Sequence, residues 1–201
     1  IIARTNPIAT RHFSEDLGAI AVDGVALINL PKIESANDVL AAVAEIECAE
    51  AANRVENPIG LLINIETPRA LRAAAEIASA HPRVRGLQLG LGDLFEPFGL
   101  ARHDEANVHA AMFAVRMAAA EVGVFAGDGA FADIEDGAGY RTAGQEARRL
   151  GRVLAGLAND LHLDPHQERC QHAQHGKPGR SERNGAAGQH TEIQRHLQHD
   201  V

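Results

Sequence analysis

Glu66 closes the apolar run LLINI and Asp93 follows the run GLQLGLG, and a helical stretch succeeds each of them. Two acids therefore stand at the C-terminal ends of successive strands, where α/β barrels and doubly wound sheets place their chemistry. An acidic pair in that position suits a hard divalent cation such as Mg²⁺, with water and substrate oxygens completing an octahedron. The plainer role for Glu66 is to favour the N-terminus of the following helix through the macrodipole. Arg4, in the segment ARTN, offers a planar fork to a substrate carboxylate, or else pairs with a neighbouring acid. Lys32 and Glu34 read as a rim pair, although most such charges are simply solvated. Asp128, between two glycines, fits a supporting role at the site and a turn role equally well.

The elements that must position these residues are legible as strand-then-helix units. Five precede residue 151: IIARTN with SEDLGAIAV, GVALINLP with a helix from Ser35 to about Val55, IGLLINIE with a helix capped by Thr67 and opened by Pro68, VRGLQLGL with NVHAAMFAVRMAAAE, and VFAGDGAF with a helix from about Gly139 to Leu150. The strand runs are rich in Ile, Leu and Val without clean alternation, as buried parallel strands should be. Repeated units of this kind mean an α/β fold, either a barrel or an open sheet. Gly90-x-Gly92 is not a dinucleotide fingerprint, because Phe95 occupies the place of its third glycine. Those glycines instead let backbone approach the loop around Asp93 closely.

Composition narrows the function classes. The chain has 201 residues and a formal net charge of −8, enough length for one substantial core and the wrong sign for nucleic acid or an anionic membrane. No long uncharged apolar run and no secretory leader can be read. Cys48 and Cys170 are too few for a disulfide framework, which predicts a cytoplasmic setting, and Cys48 among alanines reads as a small core residue. Aromatic residues make up 3% of the chain, so Ala, Leu, Ile and Val must build the core.

Past Leu150 the character changes. Seven of the 11 histidines fall between His162 and His199, among Gln, Arg, Gly and Asn. Beyond Leu163 the large apolar residues are Ile193, Leu197 and Val201, spaced for one stripe of a short helix. The rest lacks the apolar area to order itself. His162, His166, Cys170, His172 and His175 invite a zinc reading, but the spacing is irregular, and adventitious metal binding by a disordered tail is the better expectation.

In order and spacing, the motifs ARTN, LPKIES, INIETPRAL, GLGDLFEPFG and DGAFADIEDGAGY resemble the citrate lyase β-subunit-like family, also called the HpcH/HpaI aldolase family, which includes citryl-CoA and malyl-CoA lyases. The resemblance covers about residues 1–150. It implies a TIM (β/α)8-barrel, here incomplete with about five βα units, whose members form C–C lyase sites around Mg²⁺ and are usually homo-oligomers. By position, Glu66 and Asp93 match the family's metal-binding Glu and Asp. Arg4 matches the arginine that holds the carboxylate of the 2-oxo acid. Lys32 falls in the Pro-Lys-x-Glu-Ser motif near the site rim. The implied reaction cleaves a 3-hydroxyacyl-CoA to a 2-oxo acid and acetyl-CoA, and a sibling chemistry releases pyruvate instead.

Two departures qualify the resemblance. The family begins with strands not seen here, and Ile1 reads as lying inside a strand, so the chain reads as a fragment. The family also continues with a Gly-rich strand and an Ile-His-Pro motif, where this sequence has LAGLANDLHLDPHQ. The break near Leu150 predicts a shifted reading frame, testable by reading the encoding nucleotides in all three frames. The expected organisation is therefore a partial barrel domain over 1–150 and a divergent tail over 151–201. A catalytically inactive remnant of such a lyase is the competing expectation.

Overall fold

The computed structural model describes residues 1–102, 104–129, 135–149 and 151, all within a compact unit spanning Ile1–Asp160. The histidine-rich tail lies outside the described residues, and with it Cys170, the zinc reading, the Ile193–Val201 stripe and the frame-shift reading.

Five strands form one sheet: β1 (Ile2–Arg4), β2 (Leu27–Leu30), β3 (Gly60–Ile65), β4 (Val84–Leu89) and β5 (Phe125–Gly127). All neighbours are parallel and the spatial order is β1-β2-β3-β4-β5. A doubly wound sheet reverses its strand order part-way, whereas this sheet never does. With right-handed crossovers throughout, a sequential order keeps every connecting helix on one face. Such a sheet is a segment of a TIM-type barrel, with the other face turned toward the barrel axis.

The helices follow their sequence signals. Ser35 accepts a hydrogen bond from the Asp38 amide and opens α2 (Ala36–Asn53), while the Asp38 carboxylate reaches back to the Glu34 amide. Thr67 accepts from the Ala70 amide and Pro68 takes the first position of α3 (Pro68–Arg72). The helix expected there as one piece breaks at Ala73, whose φ of −97° and ψ of 10° are not helical, and resumes as α4 (Ala74–Ser79). Flanking these are α1 (His12–Ile20), α5 (Leu91–Phe95), α6 (Glu105–Val122) and α7 (Gly137–Arg149). Asp93, expected in a loop, sits in the first turn of the short α5.

The core lies between the sheet and its helices. Ile28, Leu30, Leu61, Ile63, Ile65, Leu87 and Leu89 alternate outward along β2, β3 and β4 and are at most 1% exposed. Cys48 corrects the expectation of a core thiol, because it is exposed. The buried stripe of α2 runs through Val39, Val43, Ile46 and Glu50, and Cys48 stands two residues past Ile46, on the far side of the helix.

Candidate active site

Side chains on a strand alternate faces, so the register decides which of them share the inner face. Arg4 pairs with Asn29, Asn29 with Leu62, Asn64 with Gln88, and Gln88 with Gly127. Glu66 follows Asn64 by two residues and keeps its parity. Arg4, Asn29, Asn64, Glu66 and Gln88 therefore line one face, toward the C-terminal ends of four adjacent strands.

Glu66 is the centre of the arrangement and only 2% exposed. Its Oε1 accepts the Lys32 backbone N–H at 2.7 Å. Its Oε2 accepts from Asn64 Nδ2 at 3.4 Å and lies 3.8 Å from the Arg4 guanidinium. Lys32 donates from a left-handed conformation (φ 55°), so the turn after β2 is bent to deliver an amide to the carboxylate. The Lys32 ammonium reaches the other way and pairs with Asp93 Oδ2 at 3.0 Å. The structure thus brings all four expected residues, Arg4, Lys32, Glu66 and Asp93, into one linked constellation. The expected Lys32–Glu34 pairing is not formed: Lys32 takes Asp93, and Glu34 takes Arg69 at 3.9 Å.

Gly90 makes the constellation possible. A Cβ there would stand 2.6 Å from the Glu66 Cβ and 2.9 Å from its Oε2. The backbone that carries Asp93 can pass against Glu66 only because position 90 has no side chain. Gly92 has no such duty, as a Cβ there meets nothing nearer than 3.8 Å. The close-approach reading of the two glycines therefore holds for the first alone.

Arg4 is anchored from behind. Two residues on, the Asn6 amide and its Nδ2 both donate to Asp16 Oδ2 on α1, at 2.6 and 2.9 Å. The backbone bond and then the side-chain bond from Asn6 hold the Asp16 carboxyl below its usual range. Asp128 accepts the next residue's amide, Gly129, at 2.8 Å, and its carbonyl accepts from Gln88 Nε2 at 3.0 Å. Asn29, Asn64, Gln88 and Asp16 were not singled out by sequence reasoning. The available signal was a lone polar residue inside each apolar run: Asn29 in LINL, Asn64 in LLINI and Gln88 in GLQLG.

The donor set fits a hard dication. Among the described residues no group of three His, Cys, Asp or Glu side chains converges. What is present is two carboxylates, one buried and one half-exposed, beside buried amide oxygens. Oxygen-only sites with few protein ligands are the Mg²⁺ pattern.

A one-directional parallel sheet with acids and an arginine at its C-terminal edge defines a class, the barrel-type α/β proteins that place their chemistry at the C-terminal ends of their strands. Within that class the chain belongs to the HpcH/HpaI aldolase/citrate lyase family, whose sequence pattern matches residues 1–159. It is 30% identical over 181 residues to citrate lyase subunit beta of Escherichia coli K12, covering 86% of this chain and 60% of that protein. It is 28% identical to the L-malyl-CoA/beta-methylmalyl-CoA lyase of Rhodobacter capsulatus, covering 75% of this chain and 54% of that one. The structure of the citrate lyase beta subunit of Mycobacterium tuberculosis complexed with oxaloacetate and magnesium superposes with a TM-score of 0.60 at 28% identity, covering 76% of this chain and 65% of that one. The chain thus spans less than two thirds of the length of these relatives.

Proposed function

We propose that this chain carries the cation- and oxo-acid-binding part of a Mg²⁺-dependent carbon–carbon lyase that cleaves a 3-hydroxyacyl-CoA of the citryl-CoA or malyl-CoA type to a 2-oxo acid and acetyl-CoA. The observation that carries this reading is the buried Glu66 carboxylate, fixed by the Lys32 amide yet only loosely met by Arg4 at 3.8 Å. Its Oε2 has only the long Asn64 contact at 3.4 Å besides Arg4, and Asp93 stands across the Lys32 link. In this reading Glu66 and Asp93 hold the cation. A Mg²⁺ ion bound there would supply Lewis-acid stabilisation of charge on the oxo-acid oxygens.

The residues do the positioning. The Arg4 side chain is 59% exposed, so its fork is free to turn from Glu66 to the carboxylate of an incoming oxo acid. The Lys32 amide keeps Glu66 in one rotamer, and its ammonium neutralises Asp93 until a stronger cation takes that carboxylate. In the cleavage the substrate hydroxyl loses its proton and the adjacent C–C bond breaks. The electron pair passes to the thioester enolate, which takes up a proton to give acetyl-CoA. The residue that moves those protons is not identified among the described ones.

Two neighbouring readings share the same site: a pyruvate-releasing 2-oxo-acid aldolase, and a chain that binds ligand but has lost turnover. An assay with malyl-CoA, citryl-CoA and a 4-hydroxy-2-oxo acid, each with Mg²⁺ or with EDTA, separates them. Release of acetyl-CoA from malyl-CoA or citryl-CoA that EDTA abolishes supports the lyase. Pyruvate release alone supports the aldolase, and no turnover despite Mg²⁺ binding supports the inactive form. The substrates are soluble metabolites, in keeping with the cytoplasm as the compartment we propose, and no described helix is long and apolar enough to cross a membrane. Assembly into a homo-oligomer is proposed as well, to be read by sedimentation velocity.

A further inference from the structure

Two buried amide oxygens on the inner face, Asn29 Oδ1 and Asn64 Oδ1, have no hydrogen-bond partner among the described residues. That these atoms are oxygens follows from the groups at the far end of each contact. A backbone carbonyl can only accept, so Gln88 must turn Nε2 toward the Asp128 carbonyl, 3.0 Å away. Gln88 then presents Oε1 to Asn29, which must answer with Nδ2, and Asn29 Oδ1 is left over. An ionised carboxylate likewise only accepts, so Asn64 turns Nδ2 to Glu66 Oε2 at 3.4 Å, and its Oδ1 is left over. The two residues are 6% and 3% exposed. Buried acceptors without donors cost free energy and are rare in folded proteins, so an orphan pair beside one carboxylate marks a place where a ligand brings donors.

The chemistry of that ligand is restricted. A 2-oxo acid offers acceptors only, in its carboxylate and its carbonyl. What the two oxygens lack is a donor, and the ligands of the proposed site that carry one carry it as O–H. We propose that Asn29 and Asn64 are ligand-binding residues of this site that accept O–H donors, from water carried by the dication or from the hydroxyl of a hydroxy-acid substrate. The proposal rests on the Mg²⁺ reading of Glu66 and Asp93 and adds two residues to it. The Asn29–Gln88–Asp128 relay gives the first oxygen a fixed direction, and the Asn64–Glu66 contact ties the second to the cation's own carboxylate.

The test uses the full chain as wild type and with Asn29→Leu or Asn64→Leu, and follows Mg²⁺ binding by calorimetry and Mn²⁺ binding by water-proton relaxation. Malate and oxaloacetate are then titrated onto the Mg²⁺-loaded protein. Each variant also loses an amide donor, Asn29 Nδ2 to Gln88 Oε1 or Asn64 Nδ2 to Glu66 Oε2, so a lowered Tm is expected and binding is compared per folded molecule. If water is the donor, Mg²⁺ binds about tenfold more weakly, the loss typical of groups that orient a metal's ligands. If the substrate hydroxyl is the donor, Mg²⁺ affinity holds, malate weakens and oxaloacetate does not. Unchanged binding of Mg²⁺ and of malate in both variants overturns the proposal while leaving the Glu66 site intact. A wild-type chain that ignores Mg²⁺ overturns both readings. Should either leucine variant fail to fold, Asn29→Ala and Asn64→Ala take its place: each removes the same oxygen with less bulk, and unchanged binding of Mg²⁺ and of malate again overturns the proposal.

Discussion

Two glutamates are buried among the described residues, each beside an arginine, and they are built differently. Glu50, near the N-terminal ends of β3 and β4, is met by Arg83 at 2.9 and 3.0 Å and by the Ile59 amide at 2.8 Å. The Arg83 side chain is itself only 14% exposed, so that pair is closed on itself. Glu66, at the opposite ends of the strands, is the more buried of the two, yet its arginine stands 3.8 Å off and is 59% exposed. A closed pair has spent its lone pairs on the fold. Glu66 is held by the Lys32 amide and only distantly by Asn64 and Arg4, and in the proposed function it takes the cation, in keeping with the division of labour between the two ends of a barrel.

Breaking the closed pair should have the largest effect on stability. Glu50→Gln leaves the largely buried Arg83 Nη1 without its carboxylate, at a cost of about 3 kcal/mol in denaturant unfolding. That sits at the low end for a buried pair because Arg83 keeps Glu47 at 3.5 Å. Binding of Mg²⁺ per folded molecule should not change. Next comes Gly90→Ala, whose new Cβ would press on the Glu66 Cβ at 2.6 Å. About 2 kcal/mol of overpacking strain is expected, and, unlike the first variant, a weaker Mg²⁺ response in calorimetry. Thr67→Ala removes the cap of α3, the helix that follows Glu66, and should cost about 1 kcal/mol in the same unfolding assay.

Opening the open pair further should cost the fold least. Glu66→Gln keeps an oxygen for the Lys32 amide and releases an exposed arginine to water, so unfolding without metal should shift by less than about 1 kcal/mol. A destabilisation like that of Glu50→Gln would mean the two glutamates do the same job. The smallest effect is remote from both. Glu146 on α7 is held by Arg149 and by His109 of α6, which bring its carboxyl from 4.5 down to about 2. A lowered carboxyl stabilises above its unfolded value and loses that contribution as pH falls through the folded one. The α6–α7 contact should therefore loosen between pH 4.5 and about 2 in an acid titration followed by amide exchange, and Glu146→Gln should flatten the change.

The contrast also explains what could be read from the chain. The five units, the caps at Ser35 and Thr67, and the acids at the strand ends were legible because each rests on local chemistry. Strand order decided barrel against open sheet, and that lies in crossovers that no local pattern encodes. Sequence alone leaves Lys32 between a rim pair with Glu34 and a solvated charge, and its ammonium instead meets Asp93 on another strand's exit, past a left-handed turn at Lys32. Glu50 escaped notice because it sits in the run AEIECAEAAN, where its burial depends on Arg83 arriving from a segment 33 residues on. Asn29, Asn64 and Gln88 looked like polar interruptions of apolar strands until the register put them on one face with Glu66.

The measurement that bears most directly on the open-pair account is thermal unfolding with Mg²⁺ and oxaloacetate, against EDTA, for wild type and Glu66→Gln. At about 100-fold over Kd, the wild type should gain roughly 2.7 kcal/mol, and the variant should gain none of it. An equal response in both proteins, or none in the wild type, would contradict the assignment of Glu66 as the site's open carboxylate.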